Sequence, residues 1–101
     1  MAKQHFFLRL IPPRATFPGD MTENERALML QHVSYFQRQF SEGRVLIYGP
    51  VLAQTNAFGM GVVEVEDEAE LRSMMDADPS VAGGLNRYEV TPMKVGAARG
   101  L

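Results

Sequence analysis

The chain has 101 residues, 46% of them apolar, with a formal charge of −2 at pH 7 and no cysteine. That describes one folded domain with room for a single core, small enough that part of a sheet can need a partner chain to cover it. Without cysteine there are no disulfides, no thiol nucleophile and no thiolate metal site, and without a Lys or Arg run no surface is built to track phosphates, so nucleic acid is not an expected partner.

Gln4–Ile11 (QHFFLRLI) alternates as a strand, with Phe6, Leu8 and Leu10 on one face and His5, Phe7, Arg9 and Ile11 on the other. Pro12-Pro13 end it, since neither can donate to a ladder. The connector Pro12–Met21 (PPRATFPGDM) is long for so small a domain, a length seen in functional loops and in plain surface crossings alike. Phe17 among its polar and turn residues points to a loop folded back onto the body. Thr22–Glu42 reads as a helix: Thr22 and Glu25 have capping-box spacing, and Met29, Val33, Phe36 and Phe40 form one apolar stripe. Gly43 stands where a left-handed residue closes a helix.

Arg44–Leu52 carries the strand formers Val45, Leu46, Ile47, Tyr48 and Val51. Gln54–Phe58 is a turn and Gly59–Glu66 the next strand, which together make an antiparallel hairpin. Asp67–Asp76 is a second helix with Asp67 as N-cap, Glu70 at capping-box spacing and Leu71, Met74 and Met75 on its apolar side. Asp78-Pro79 breaks it, and a turn over Ser80–Gly84 leads to the last strand, Leu85–Lys94. Residues 1–95 thus read as the domain and 96–101 as a flexible tail.

The order β-α-β-β-α-β is the ferredoxin-like arrangement: an α+β fold with both helices on one face of a four-stranded antiparallel sheet. The expected helix-covered face is Phe6, Leu8, Leu10, Val45, Ile47, Val63, Tyr88 and Val90. The other gathers His5, Phe7, Arg9, Leu46, Tyr48, Met60, Val62, Glu64, Arg87 and Glu89. That second face is too apolar to sit bare in water and too charged for an ordinary core, so a second subunit closing over it is expected. No apolar stretch approaches the roughly 20 residues of a membrane span, and Met1–Ile11 lacks the pattern of a secretory signal. A cytoplasmic homodimer is the expectation.

His32 lies at the edge of the apolar stripe, flanked by Leu28 and Tyr35, where a ring can face a cleft between helix and sheet. It reads either as a general acid or base, because imidazole titrates near neutral pH, or as a boundary ring packed against its neighbours. Asp78 before Pro79 is a good N-cap for a short helical turn. A carboxylate has two oxygens, so capping leaves one for an imidazole.

The stretches ERALMLQHVSYFQRQFSEGRV, YGPV and DPSVAGGL, in that order, resemble the YCII-related (YciI-like) family over nearly the whole chain. PPRATFPGDMTENE is similar to a subgroup with an extended Pro-Pro-Arg loop after the first strand. The resemblance implies a ferredoxin-like dimeric α+β barrel with a His and an Asp facing a cleft; on this sequence these match His32 and Asp78. Most members have no known reaction. A few are chloromuconolactone dehalogenases, and muconolactone isomerases share the architecture.

The resulting expectation is His/Asp-assisted proton transfer on a small acidic or lactone-like compound, by isomerisation or elimination. Arg9, Arg14, Tyr48, Gly49 and Pro50 are the candidate substrate-binding residues. A guanidinium at Arg9 or Arg14 can grip a carboxylate, and a small residue at Gly49 admits a ligand to the backbone. Arg9 reads equally as a cross-strand ion pair with Glu64 or Glu89, and Arg14 as a solvated loop residue. With only His5 and His32, and no HxH or HExxH spacing, no metal is expected. GMG at Gly59–Gly61 is no nucleotide motif, and no cofactor is expected. Two rivals stand: a ligand-binding or accessory module without turnover, and a cofactor-independent monooxygenase of the dimeric-barrel type.

Overall fold

Alternation in the first segment becomes strand β1 (Gln4–Ile11), with Phe6, Leu8 and Leu10 buried. A computed structural model of the chain describes residues 2–100. Helix α1 (Glu23–Ser41) opens on a full capping box: Glu25 N–H donates to Thr22 Oγ1 at 3.2 Å, and Thr22 N–H to Glu25 Oε1 at 2.9 Å. It closes at Gly43, whose φ of 88° costs a glycine little. Strands β2 (Val45–Val51) and β3 (Phe58–Val65) follow as the antiparallel hairpin.

Helix α2 (Glu68–Asp76) is capped by Asp67, but the Glu70 carboxylate passes the cap and accepts from Glu66 N–H at 2.7 Å. The stretch read as a turn after Asp78 is a single helical turn, α3 (Pro79–Ala82), with Asp78 as N-cap and Pro79 at N1. Strand β4 (Arg87–Met93) ends the sheet.

The four strands lie in the order β2-β3-β1-β4, every neighbour antiparallel. This is the ferredoxin-like α+β fold, with the core between sheet and helices. Phe6, Leu8, Val45, Val63 and Val65 of the sheet meet Phe36 of α1 and Leu71, Met74 and Met75 of α2. Burying such side chains contributes about 1.5–3 kcal/mol each.

Two expectations about faces are corrected. Val45 pairs with Val63 and Ile47 with Val62, so Leu46 is an extra residue, a β-bulge. Beyond it the alternation inverts. Ile47, expected in the core, is 57% exposed on the open face. Tyr48, expected on the open face, pairs with Gly61 and packs on the core, its hydroxyl donating to Gln37 Oε1 at 2.8 Å. The apolar stripe of α1 also shifts. Phe36 is buried, Val33 and Phe40 are largely exposed, and Gln39 is buried instead, accepting from Arg44 Nε at 2.7 Å.

The open face carries His5, Phe7, Arg9, Ile47, Met60, Val62 and Glu64 by register. His5 Nε2 lies 2.9 Å from Glu64 Oε2. No helix among the described residues is long and apolar enough to cross a membrane.

Candidate active site

Two backbone devices bring His32 and Asp78 together. The α1 cap fixes the start of the helix, so His32, in its third turn, points into the space between α1 and the sheet. Asp78 begins α3, which packs on α1. One carboxylate oxygen caps: Asp78 Oδ1 accepts from Ser80 N–H at 2.9 Å and from Ser80 Oγ at 3.1 Å. The other, Oδ2, lies 2.7 Å from His32 Nδ1. The Asp78 side chain is wholly buried and that of His32 is 13% exposed.

An ionised carboxylate only accepts, so this contact assigns the imidazole proton to Nδ1 as donor. That leaves Nε2 as a free lone pair, and it has no protein partner among the described residues. The ring is steadied from the side by Phe36, centroid to centroid 4.7 Å. Close by, burial and then the negative charge of Asp78 push the Tyr35 phenol up from its ordinary pKa. That hydroxyl donates to the Met74 carbonyl at 2.7 Å.

His32 opens onto a cleft of about 410 Å³. Met29, Val33 and Phe36 of α1 form one wall, and Leu8, Leu10, Tyr48 and Pro50 the floor. The loop of residues 12–21 supplies Pro12, Phe17 and Pro18, while Leu52, Ala57 and Phe58 stand at the rim. Phe17 is 6% exposed, an anchor that holds the loop on the body. Polar lining is confined to His32, Tyr48, Asn86 and backbone. Such a cleft receives a mostly apolar molecule and orients it by few polar contacts.

Of the residues singled out from sequence, His32, Asp78, Tyr48, Gly49 and Pro50 gather at this place. The two arginines do not. Arg9 projects from the open face, with its guanidinium 4.3 Å over the Phe58 ring and 4.0 Å from Glu89. Arg14 is committed inside its own loop. It donates to both Asp20 oxygens at 3.0 Å and to both Glu25 oxygens at 2.7 and 2.8 Å. Those bonds raise the Arg14 pKa further and hold the Glu25 carboxyl down to about 2. A guanidinium with both forks filled has no donor pair for a ligand. Among the described residues no group of three His, Asp or Glu is placed to hold a metal ion.

The sequence reading passed over Asn86. It is 4% exposed, lines the cleft, and is brought there by the turn after α3. Its only signal in the sequence is a polar residue between Leu85 and the strand.

Fold and site together define a small ferredoxin-like α+β domain with a buried carboxylate–imidazole pair at the back of an apolar cleft. A YCII-related domain matches residues 6–94, and the chain belongs to that family. No curated protein matches it. Among solved structures it is similar to 5-chloro-2-hydroxyhydroquinone dehydrochlorinase from Burkholderia phenoliruptrix, in complex with 2,5-dihydroxybenzoquinone. The TM-score is 0.66 and the identity 21%, over 90% of this chain and 95% of that one.

Proposed function

We propose that the chain is a small-molecule enzyme in which His32 Nε2 moves a proton on a substrate held in the cleft. One observation carries this: a wholly buried Asp78 oxygen lies 2.7 Å from His32 Nδ1, and His32 lines the cleft, so an ionised Asp78 assigns the proton to Nδ1 and leaves Nε2 for a substrate. An imidazole held in one tautomer can abstract a proton, and Asp78 then stabilises the imidazolium until the proton is returned. Asp78 acts through His32 and is a positioning residue.

The substrate class is a compact, largely apolar molecule with an acidic or lactone-like oxygen function, and the reaction an isomerisation or elimination beside a carbonyl. The dehydrochlorinase, which binds a dihydroxybenzoquinone, supports a ring-sized ligand and an elimination. Neither Arg9 nor Arg14 lines the cleft, so recognition falls to the polar groups that do: His32, Tyr48, Asn86 and the Gly49-Pro50 backbone. The test is His32→Ala on a panel of small carboxylates, lactones and chlorinated hydroxyhydroquinones. Turnover is expected to fall by about 10²–10⁴-fold with circular dichroism unchanged. Equal turnover in the variant would sink the proposal, and a wild-type protein that binds but turns over none of the panel favours a binding module.

We also propose that a second copy covers the open face. Ile47 at 57% exposure and the half-buried Phe7, Met60 and Val62 form an apolar patch ringed by Arg9, Glu64 and Glu89. Sedimentation should give about twice the 11.3 kDa chain mass. A monomer at micromolar concentration refutes it.

A further inference from the structure

Asn86 is the cleft residue with the most hydrogen-bonding capacity left over. Its place is dictated by the turn after α3, where Leu85 N–H and Asn86 N–H both donate to the Ser80 carbonyl at 2.9 Å. That folds the chain back beside the segment that holds Asp78. A carboxamide offers two N–H donors and an acceptor oxygen. One N–H reaches Met29 Sδ at 3.4 Å, and a thioether is a weak acceptor. Oδ1 and the second N–H have no protein partner among the described residues, although the residue is 96% buried and what remains open lines the cleft. Buried amides are normally paired within the fold. This one keeps a donor and an acceptor unpaired where the residue lines the cleft.

Its position relative to His32 follows from the helix. Met29 precedes His32 by three residues on α1, about 4.5 Å along the axis. The carboxamide that meets Met29 Sδ therefore borders the same cleft as the imidazole.

We infer that Asn86 is a ligand-binding residue of the site, binding one oxygen of the ligand while His32 Nε2 meets another. The inference rests on the proton-transfer reading of His32 and narrows its substrate. The cleft takes an apolar, ring-sized molecule with two oxygen functions, one for each residue. Asn86 orients the ligand and touches no proton.

Asn86→Leu tests this, because leucine keeps the size and branching and removes every polar atom. A structural asparagine makes the variant melt earlier. A ligand-facing one leaves Tm equal or higher, since a half-paired buried amide is exchanged for an apolar group. A melting point several degrees lower overturns the inference whatever the variant binds.

In the second arm, wild type, Asn86→Leu and His32→Ala are titrated with 2,5-dihydroxybenzoquinone, followed by calorimetry and by the side-chain amide resonances. The expected result has the Asn86 amide signals move in the wild type, and Asn86→Leu bind about tenfold more weakly with its His32 imidazole shifts unchanged. Binding by Asn86→Leu equal to wild type overturns the role of Asn86. If His32→Ala alone weakens binding, the reading of His32 stands and that of Asn86 falls. No binding by the wild type counts against both.

Discussion

Asp78→Asn separates two tasks of one side chain. Oδ1 caps α3 and Oδ2 accepts from His32 Nδ1–H. Asparagine caps about as well as aspartate, but it can present an NH₂ where Oδ2 was. An NH₂ donates, so it selects the ring whose Nδ1 is bare and whose Nε2 carries the proton. The nitrogen facing the cleft changes from acceptor to donor. A base that shows the wrong nitrogen loses most of what general base catalysis supplies, about 10²–10⁴-fold.

Stability falls less. The bond of a charged carboxylate to the imidazole is worth about 1.5–3 kcal/mol, but a neutral amide relieves part of the cost of a wholly buried charge. We expect a net loss of about 1 kcal/mol, or about 4–8 °C in Tm for a domain of this size. Asp78→Ala removes the cap as well, about 1 kcal/mol, for a total of about 2.5–4 kcal/mol out of the roughly 5–15 kcal/mol a domain has. The assays are ¹⁵N imidazole correlation spectra of Asp78→Asn and thermal unfolding of both variants. An unchanged His32 tautomer in Asp78→Asn, or an alanine variant no less stable than the asparagine one, refutes the reasoning.

The clasp on the loop makes a pH prediction. A carboxyl whose folded pKa is depressed stabilises fully above its unfolded value and loses that contribution as pH falls through the folded one. For Glu25 the window runs from its ordinary value of 4.5 down to about 2. Amide exchange in residues 12–21 should therefore speed up beyond its intrinsic pH trend across that window. In Arg14→Ala it should already be fast, and equal protection in that variant rejects the clasp. Gly83→Ala places a Cβ 2.9 Å from both the Pro79 carbonyl oxygen and Leu28 Cδ2. The carbonyl cannot swing aside, so α3 must shift from α1 at a cost of about 1–3 kcal/mol. Lower Tm and altered His32 imidazole shifts are expected, and wild-type melting speaks against that packing.

Element order was legible because it rests on local signals, whereas the pairing of His32 with Asp78, 46 residues apart, was implied only by the family resemblance. Thr22/Glu25, Asp67 and Asp78-Pro79 are caps that read the same in sequence and in space. What failed was arithmetic along a strand. Period-2 alternation holds only while no residue is inserted, and nothing in VLIYGPV marks Leu46 as the extra one. The bulge sends Tyr48 to the cleft and Ile47 to the open face. On α1, periodicity located a stripe but not its centre, because the sheet covers the His32–Phe36–Gln39 side and leaves Val33 at the cleft edge. Arg14 was invisible as a clasp, since its partners Asp20 and Glu25 are acidic residues like any others until the loop closes. Asn86 depends on a fold-back through Ser80 that no spacing rule encodes.

The His32–Asp78 geometry is complete within one chain, but the mouth of the cleft is not independent of the open face. Phe58 and Met60 line the cleft and stand opposite Val51 and Gly49, at open-face registers. A second copy laid over that face would touch the mouth and leave the dyad alone. Ile47→Lys puts a charge in the patch on a side chain already 57% exposed, so the single chain should keep its fold. It should sediment at half the wild-type mass and bind 2,5-dihydroxybenzoquinone more weakly, with the His32 tautomer and its response to Asp78→Asn unchanged. If instead the monomeric variant shows a different imidazole tautomer, the partner helps to hold His32, and the dyad cannot be treated as the property of one chain.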